Sequence, residues 1–141
     1  MKPILLSRTR DDAVEPSVAT EGDVGMDMTL IGVRAWEGEV TVYRTGWTAQ
    51  PPEGYHLELH ARSSLHKKGY MLANSVGIID PGYRGELLVA LYKFDKSKPD
   101  LVTPCRAVQL VQRRTISPRF HVVDHLTTTV RGSGGFGSSG G

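Results

Sequence analysis

An acidic residue at the end of a short apolar run is the first feature of this chain that could do chemistry. Asp80 follows the apolar residues 77–79, and a Pro-Gly pair typical of a tight turn separates it from Tyr83. A carboxylate held at a rigid strand end is well placed to orient a water molecule and to take up its proton. An Asp-Pro-Gly segment is also a common turn with no chemical role, and this stretch alone leaves both interpretations open.

The C-terminal residues 131–141 are mostly glycine and serine, but they include one arginine, Arg131, and one aromatic ring, Phe136. Ordering such a backbone costs about 1–2 kcal/mol per residue with almost no apolar side chain to offset it, so we expect disorder in isolation. An arginine suits a phosphate and an aromatic ring suits a flat base, so the segment can be interpreted as a flap that closes on a ligand. An unstructured terminus or a flexible linker is the alternative.

The elements that must position these residues are predicted to be strands. Short runs rich in Val, Ile, Leu, Thr and Tyr, punctuated by many of the 16 glycines and 8 prolines, indicate an all-β chain. The predicted strands are 4–7, 27–30, 39–43, 55–61, 77–79, 86–94 and 106–113. Residues 87–91 are apolar on both faces, so a second sheet or a neighbouring subunit should cover both. A sandwich or a closed β-barrel follows.

One short helix is predicted at 64–68, with Ser63 as its N-cap and Gly69 closing it. Its free N–H groups would suit an anion, although Ser63 and Ser64 could be cap residues and nothing else. The charged residues 95–100 are predicted to form a solvated loop.

Length and composition limit the classes of function. With 141 residues and 39% apolar content, the chain fits one soluble globular domain. A net charge of +2 from scattered basic residues argues against polymeric DNA or RNA as a partner. The single cysteine, Cys105, excludes an intramolecular disulfide and a thiolate metal cluster. Without a secretory or membrane-spanning run, we expect an intracellular protein, in the cytoplasm or the nucleus.

Five segments, in this order along the chain, resemble the motifs of the trimeric dUTPase family, whose members hydrolyse dUTP to dUMP and pyrophosphate. The segments are Gly25-Met26-Asp27-Met28, Ala61-Arg62-Ser63-Ser64, residues 74–85, Arg106-Ala107-Val108-Gln109-Leu110 and residues 131–140. The third and fifth are long and highly specific, whereas the first is a short Gly-x-Asp pattern. The resemblance implies that the enzyme limits uracil incorporation into DNA and supplies dUMP for dTMP synthesis.

The resemblance also implies an architecture. The fold would be a distorted, jelly-roll-like β-barrel over residues 1–130, and residues 131–141 would form a flexible flap carrying the last motif. In the family, three subunits share three sites: the first, second and fourth motifs come from one chain, the third from another and the flap from the remaining one. Eleven extended residues span about 36 Å, enough to reach a neighbouring subunit. We therefore expect a homotrimer with a swapped C-terminal arm.

By this resemblance, Asp80 is the catalytic base that holds the attacking water in line with the α-phosphorus. Tyr83 lies under the deoxyribose and excludes a ribose 2′-hydroxyl. Asn74 and the adjoining hairpin, including Gly77 and Ile79, read the uracil edge, and a wrong base would leave buried polar groups unpaired.

The remaining contacts implied by the resemblance involve the phosphates and the flap. The residues that grip the phosphate chain are Arg62, Ser63, Ser64 and Gln109. Asp27 acts through water on a Mg²⁺ carried by the substrate's phosphates, as suits a cation that keeps its waters. The flap contributes Arg131 to the terminal phosphate and Phe136 to stacking on the uracil, with Gly137 and Ser138 completing the substrate-binding set.

The sequence departs from the family pattern at three places. Ala61 stands where a proline usually precedes the arginine of the second motif, which should loosen that turn without removing a contact. Pro104-Cys105 replaces the Gly-Asp pair that usually precedes the arginine of the fourth motif. Met26 and Met28 replace other apolar residues. We expect catalysis to survive all three.

Other residues allow other interpretations. His56, Glu58 and His60 alternate on one strand face, a spacing that can build a zinc site, although a solvated or subunit-facing strand is the default. Trp36 and Trp47 flank a predicted hairpin and are interpreted as packing residues. His66, Lys67 and Lys68 are interpreted as a solvated basic face, and Cys105 as a small buried residue at a strand start.

Two other functions compete with dUTP hydrolysis. A dCTP deaminase shares the fold by resemblance, but such enzymes have longer chains and a catalytic glutamate, and no such replacement occurs around Asp80. A nucleotide-gated regulator of a protein partner would not need the intact acid.

Overall fold

Ten short β-strands dominate the chain, which the structure, a computed structural model, describes over residues 2–137. The strands are β1 (Leu5–Arg8), β2 (Gly25–Leu30), β3 (Gly32–Glu37), β4 (Val40–Arg44), β5 (Trp47–Gln50), β6 (Tyr55–Ala61), β7 (Tyr70–Leu72), β8 (Gly77–Ile79), β9 (Leu88–Lys93) and β10 (Cys105–Arg114). A single 3₁₀ turn, His66–Lys68, lies between β6 and β7. The predicted all-β class is confirmed.

The strands form two four-stranded antiparallel sheets, ordered β2-β10-β6-β8 and β3-β4-β9-β7, and a two-stranded sheet of β1 and β5. The first sheet brings strands from distant parts of the sequence side by side. Asp27 on β2 pairs with Gln109 on β10, which pairs in turn with His60 on β6. One edge of this sheet is therefore built from the first, second and fourth sequence motifs.

The core contains residues from both sheets. Leu57, Leu59 and Leu110 of the first sheet and Val89 and Leu91 of the second are at most 4% exposed. On β6, Leu57 and Leu59 are buried while His56, Glu58 and His60 are half-buried, as the period-2 pattern predicts, whereas Tyr55 is half-buried and Ala61 at the strand end is exposed. Among the described residues, no helix is long and apolar enough to cross a membrane.

Strand β9 was predicted to be covered on both faces. One face is buried, with Val89 and Leu91 at 2% and 1% exposed, whereas Leu88 and Ala90 on the other face are half-buried in the single chain. The prediction holds for the core-facing side, and the other side keeps part of its apolar surface accessible.

The predicted helix at 64–68 was wrong in type and in its N-cap. The 3₁₀ turn begins only at His66, its N-cap position is Leu65, and no side chain caps it, so Ser63 is not the cap. Residue 62 is still paired with β10, where Arg62 N donates to Ala107 O at 3.1 Å, and Ser63 and Ser64 lie in a turn closed by Leu65 N donating to Arg62 O at 3.0 Å. Gly69 closes the turn with φ 81°, as predicted.

The sequence patterns missed β3, β5 and β7. Strand β3 is an edge strand of mostly exposed residues, which gives it a weak apolar signal. Its Trp36 is 74% exposed, so the packing interpretation was wrong for that residue. Trp47 on β5 is 5% exposed and donates from Nε1 to Val14 O at 2.8 Å, which confirms its packing role.

Candidate active site

The turn after β8 is fixed by its own hydrogen bonds. Tyr83 N donates to Asp80 O at 3.0 Å and closes the turn. Arg84 Nη1 donates to Pro81 O at 2.7 Å and to Tyr83 O at 3.1 Å, bracing the same loop from its side chain. The Asp80 side chain is exposed and projects from a backbone with little freedom to move.

A cavity of about 200 Å³ opens beside this turn. The residues lining it are Leu59, Asn74, Gly77, Ile78, Ile79, Asp80, Tyr83, Glu86, Leu87 and Leu88. All five site residues predicted from the third motif therefore lie in one place. The apolar walls with a few convergent polar groups are typical of a small-molecule site.

The loop before β8 shapes the mouth of the cavity. Ser75 adopts a left-handed φ of 63°, and Val76 N donates to Asn74 O at 2.7 Å, which makes a tight turn centred on Ser75, directly after the asparagine. A Cβ at Gly77 would lie 3.3 Å from Leu59 Cβ and 3.7 Å from Asn74 Nδ2. A side chain at position 77 would thus narrow the cavity.

A second polar group lies on the edge formed by β2, β6 and β10. Arg62 Nε donates to Asp27 Oδ1 at 3.1 Å, and Arg106 Nη1 lies 3.9 Å from Asp27 Oδ2. Arg62 Nη1 also donates to Arg106 O at 3.1 Å. The Asp27 side chain is 12% exposed and lies between two guanidinium groups, so the cluster carries a net positive charge suited to an anion.

Gln109 belongs to the same cluster. Its Nε2 donates to Ala61 O at 3.1 Å, and its amide lies against Gly25, where any Cβ would collide with Gln109 Oε1. Ser63 and Ser64 form the turn after β6, the first exposed and the second half-buried. The structure thus brings together the residues predicted from the first, second and fourth motifs.

The C-terminal arm forms a third part of the candidate site. Within the described residues, its hydrogen bonds stay local: Arg131 Nε donates to Gly134 O at 2.8 Å, and Gly132 N donates to Thr129 Oγ1 at 3.1 Å. Phe136 is fully exposed and Gly137 is exposed. Ser138, the last predicted contact, lies outside the described residues.

The three groups do not meet in a single chain. Of residues 2–137, neither Asp27, Arg62 and Gln109 nor any arm residue lines the cavity beside Asp80. One copy therefore presents three separate parts: the cavity, the arm, and the cationic edge formed by Asp27, Arg62, Arg106 and Gln109.

The strand face that suggested zinc carries a hydrogen-bonded triad instead. Glu58 lies between two histidines, with 2.9 Å from Oε2 to His56 Nε2 and 2.8 Å from Oε1 to His60 Nε2. His56 Nδ1 is 2.9 Å from Thr115 Oγ1. In the part of the chain that the structure describes, no group of three or more His, Cys, Asp or Glu side chains is arranged to hold a metal ion. The zinc alternative is not supported.

The triad makes Glu58 a pH-dependent stabilising group. Partial burial opposes ionisation, but hydrogen bonds from His56 and His60 and the charge of Arg113 outweigh it, so the pKa of Glu58 lies below its ordinary value of 4.5. Because the folded pKa is depressed, the ionised carboxylate stabilises the fold above about pH 4.5, and this contribution is lost as pH falls through the folded pKa.

Replacing Glu58 by glutamine should lower the free energy of unfolding by about 1 kcal/mol at neutral pH. The difference from the parent protein should shrink toward zero in acid, since the carboxyl is then protonated in both folded and unfolded states. Urea unfolding between pH 3 and pH 7 would measure it, with the exposed Glu53→Gln as the matched control. A difference independent of pH would contradict this account.

Cys105 begins β10, is half-buried and packs against the core. Burial raises the pKa of its thiol, which keeps it protonated and unreactive at neutral pH. This is the small structural residue that the sequence predicted.

Sequence reasoning missed the roles of Glu86, which lines the cavity, and of Arg84, which braces the turn beside it. Both residues closely follow Tyr83 in the sequence, and their charges beside the predicted site could have identified them. The partner of Glu86 could not be identified in this way, because Glu86 contacts Arg44, 42 positions away in the chain.

Comparison with known proteins places this geometry in a family. The dUTPase family model matches residues 11–140. The deoxyuridine 5'-triphosphate nucleotidohydrolase of Thermobifida fusca is 39% identical over 139 residues, covering 96% of this chain and 78% of that protein.

Solved structures show the same fold. A mutant of the Staphylococcus bacteriophage 80alpha dUTPase with dUpNHpp superposes with a TM-score of 0.80 at 21% identity, covering 99% of both chains. A mutant dUTPase from phage phi11 of S. aureus, described with a structural Mg(II) ion, has a TM-score of 0.73 at 20% identity and covers 90% of this chain and 100% of that one.

Proposed function

Since this chain belongs to the dUTPase family and hydrolyses dUTP to dUMP and pyrophosphate, we propose that Asp80 is the catalytic base of that reaction. The observation that carries the proposal is the exposed Asp80 carboxylate on a braced turn, beside a cavity that contains Asn74 and Tyr83. The curated relatives are named as dUTP hydrolases, so the deaminase and the regulator are not favoured.

The chemistry assigned to Asp80 is proton acceptance. A water oxygen attacks the α-phosphorus, the bond from that phosphorus to the oxygen bridging to the β-phosphate breaks, and pyrophosphate leaves. The Asp80 carboxylate takes the proton that the water loses. Phosphoryl transfer needs mainly positioning and charge neutralisation, so no covalent intermediate on the protein is involved.

The cavity beside Asp80 is the part of the site that selects the base and the sugar. Its volume of about 200 Å³ and its apolar walls suit a pyrimidine ring. Asn74, with Gly77 and Ile79 on β8, reads the uracil edge, and Tyr83 lies under the deoxyribose. A ribose 2′-hydroxyl is rejected by collision with the Tyr83 ring, and a wrong base is rejected by unpaired polar groups.

The phosphate chain is bound by the cationic edge of the first sheet. Its binding residues are Arg62, Ser63, Ser64 and Gln109. Family members use Mg²⁺. The lone Asp27 carboxylate is already engaged by two arginines, which fits contact through water with a Mg²⁺ held by the substrate's phosphates. When bound, Mg²⁺ supplies neutralisation of phosphate charge.

We infer that three copies assemble to complete each site. The inference is supported by the separation of cavity, cationic edge and arm within one chain. Residues 1–130 form the barrel, and residues 131–141 form the flap, which brings Arg131 to the terminal phosphate and Phe136 onto the uracil. Gly137 and Ser138 complete its contacts. Sedimentation should give a trimer, and an active monomer at micromolar concentration would reject this assembly.

One assay tests the function as a whole. Purified protein should convert dUTP to dUMP and pyrophosphate, with far lower turnover of dCTP, dTTP and UTP. Chelating Mg²⁺ with EDTA should reduce dUTP turnover, and restoring the cation should recover it. Ammonia release from dCTP, or no hydrolysis of dUTP with Mg²⁺ present, would overturn the assignment.

A further inference from the structure

The backbone just after Tyr83 is anchored to the connection between β4 and β5. Tyr83 Oη donates to Glu86 O at 2.9 Å, so the phenol is held by the main chain of the glutamate. The Glu86 carboxylate accepts from Arg44 Nη1 at 2.7 Å and from Gly46 N at 3.0 Å. The tyrosine thus connects, through Glu86, to a loop that contributes nothing to the cavity lining.

The next residue is held from the same connection. Leu87 N donates to Trp47 O at 2.7 Å, and Leu87 O accepts from Thr45 Oγ1 at 2.7 Å. Thr45 and Leu87 are both at most 1% exposed. Buried hydrogen bonds of this kind are costly to break, so the backbone at 86–87 is a rigid support.

The tyrosine ring lies directly over the backbone of Gly85. A Cβ at that position would collide with Tyr83 Oη and would lie 2.6 Å from Tyr83 Cζ. The ring is therefore confined from below by the main chain and at its far end by the hydrogen bond to Glu86. Tyr83 is 44% exposed and lines the cavity.

The Arg44–Glu86 ion pair is partly shielded from solvent, so it can stabilise the backbone that holds Tyr83. The Glu86 side chain is 12% exposed and the Arg44 side chain 32%. Charge-assisted hydrogen bonds at short distance are about twice as strong as neutral ones. Loss of Arg44 leaves the carboxylate with Gly46 N, and loss of the carboxylate leaves both donors to find new partners.

We propose that Glu86 and Arg44 are positioning residues that set the discrimination between deoxyribose and ribose, by holding the Tyr83 ring against the sugar subsite. This rests on the sugar-excluding role of Tyr83 proposed above. Steric exclusion of the 2′-hydroxyl requires the Tyr83 ring to stay in place, because a small displacement of the ring would make room for the hydroxyl group. The chain supplies that restraint from outside the cavity.

The decisive quantity is the ratio of kcat/KM for dUTP to kcat/KM for UTP. Glu86→Gln and Arg44→Met should each lower this ratio on the order of tenfold, chiefly by raising turnover of UTP. The double variant should lower it little further, since both changes remove one interaction. Arg44→Lys should keep most of the ratio, because the contact uses a single guanidinium nitrogen that an ammonium can replace.

Controls separate this effect from general damage. Asp100→Asn removes a 2.6 Å ion pair with Lys93 that is no part of the cavity, and it should leave the ratio unchanged. Gly85→Ala displaces the ring without touching the Arg44–Glu86 pair and should lower the ratio as well. Thermal melting of each variant confirms that a folded protein is being assayed. Arg44 is the milder site if Glu86→Gln does not fold.

The Tyr83→Ala variant separates the role of Tyr83 from the positioning role of Glu86 and Arg44. If Tyr83→Ala leaves the ratio unchanged, Tyr83 does not exclude the ribose 2′-hydroxyl, and both its proposed role and this inference are wrong. If Tyr83→Ala collapses the ratio while folded Glu86→Gln and Arg44→Met keep it within about twofold, the role of Tyr83 stands and only the positioning role is overturned.

Discussion

Replacing Asp80 by asparagine should lower kcat for dUTP by a factor of about 10²–10⁴, the range that a positioned general base contributes. The amide keeps the shape of the side chain but cannot accept the proton that the attacking water must lose. Binding should survive, because the cavity walls and the cationic edge are unchanged. Pyrophosphate release measures kcat, and titration with the slowly hydrolysed analogue dUpNHpp measures binding.

The matched control is Asp12→Asn, which removes an exposed carboxylate paired with Arg10 at 3.0 Å and not part of the cavity lining. It should have near-parental turnover. If Asp80→Asn retains more than about a tenth of the parental kcat, another group removes the proton and the assignment of Asp80 is wrong.

Truncation after Val130 should lower kcat/KM for dUTP at least about 100-fold, because an open site leaves the substrate poorly positioned and wet. The barrel should keep its melting temperature, since the hydrogen bonds of residues 131–134 stay within the arm and its neighbour Thr129. Steady-state kinetics and thermal melting, on the same preparation, test the two halves of this prediction.

The single substitution Phe136→Ala isolates the ring. Stacking of a base on an aromatic side chain contributes about 1–3 kcal/mol, so kcat/KM should fall about 5- to 150-fold. Trp36→Ala, which removes an aromatic that is 74% exposed on the edge strand β3, is the control and should retain activity. Full activity in the truncated protein would refute the flap.

Some strands could be predicted because their chemistry is local. The alternation of Leu57 and Leu59 with His56, Glu58 and His60 marks a strand with one face in the core, and the structure has it at Tyr55–Ala61 as predicted. Strand β3 could not be found in this way. It lies at a sheet edge, and its mostly exposed residues carry no apolar period.

The helix at 64–68 failed for a non-local reason. Serines before a basic run are typical of an N-cap, but Arg62 N is still bonded to Ala107 on β10, and local propensity cannot register a strand 45 positions away. The same applies to the Arg44–Glu86 pair, whose members are separated by 42 positions. The order of the motifs indicated which residues to consider as site residues. Only the strand pairing shows which of them lie next to one another in the folded chain.

The separation of cavity and arm within one chain has a consequence for mixed assemblies. If each copy gives its acid to one site and its arm to a different one, a copy with a single defect silences one site of three. A copy carrying both defects silences two. When normal and doubly altered chains are co-expressed, dUTPase activity should therefore fall more steeply than the fraction of normal chains. The altered chain would then act as a dominant-negative variant.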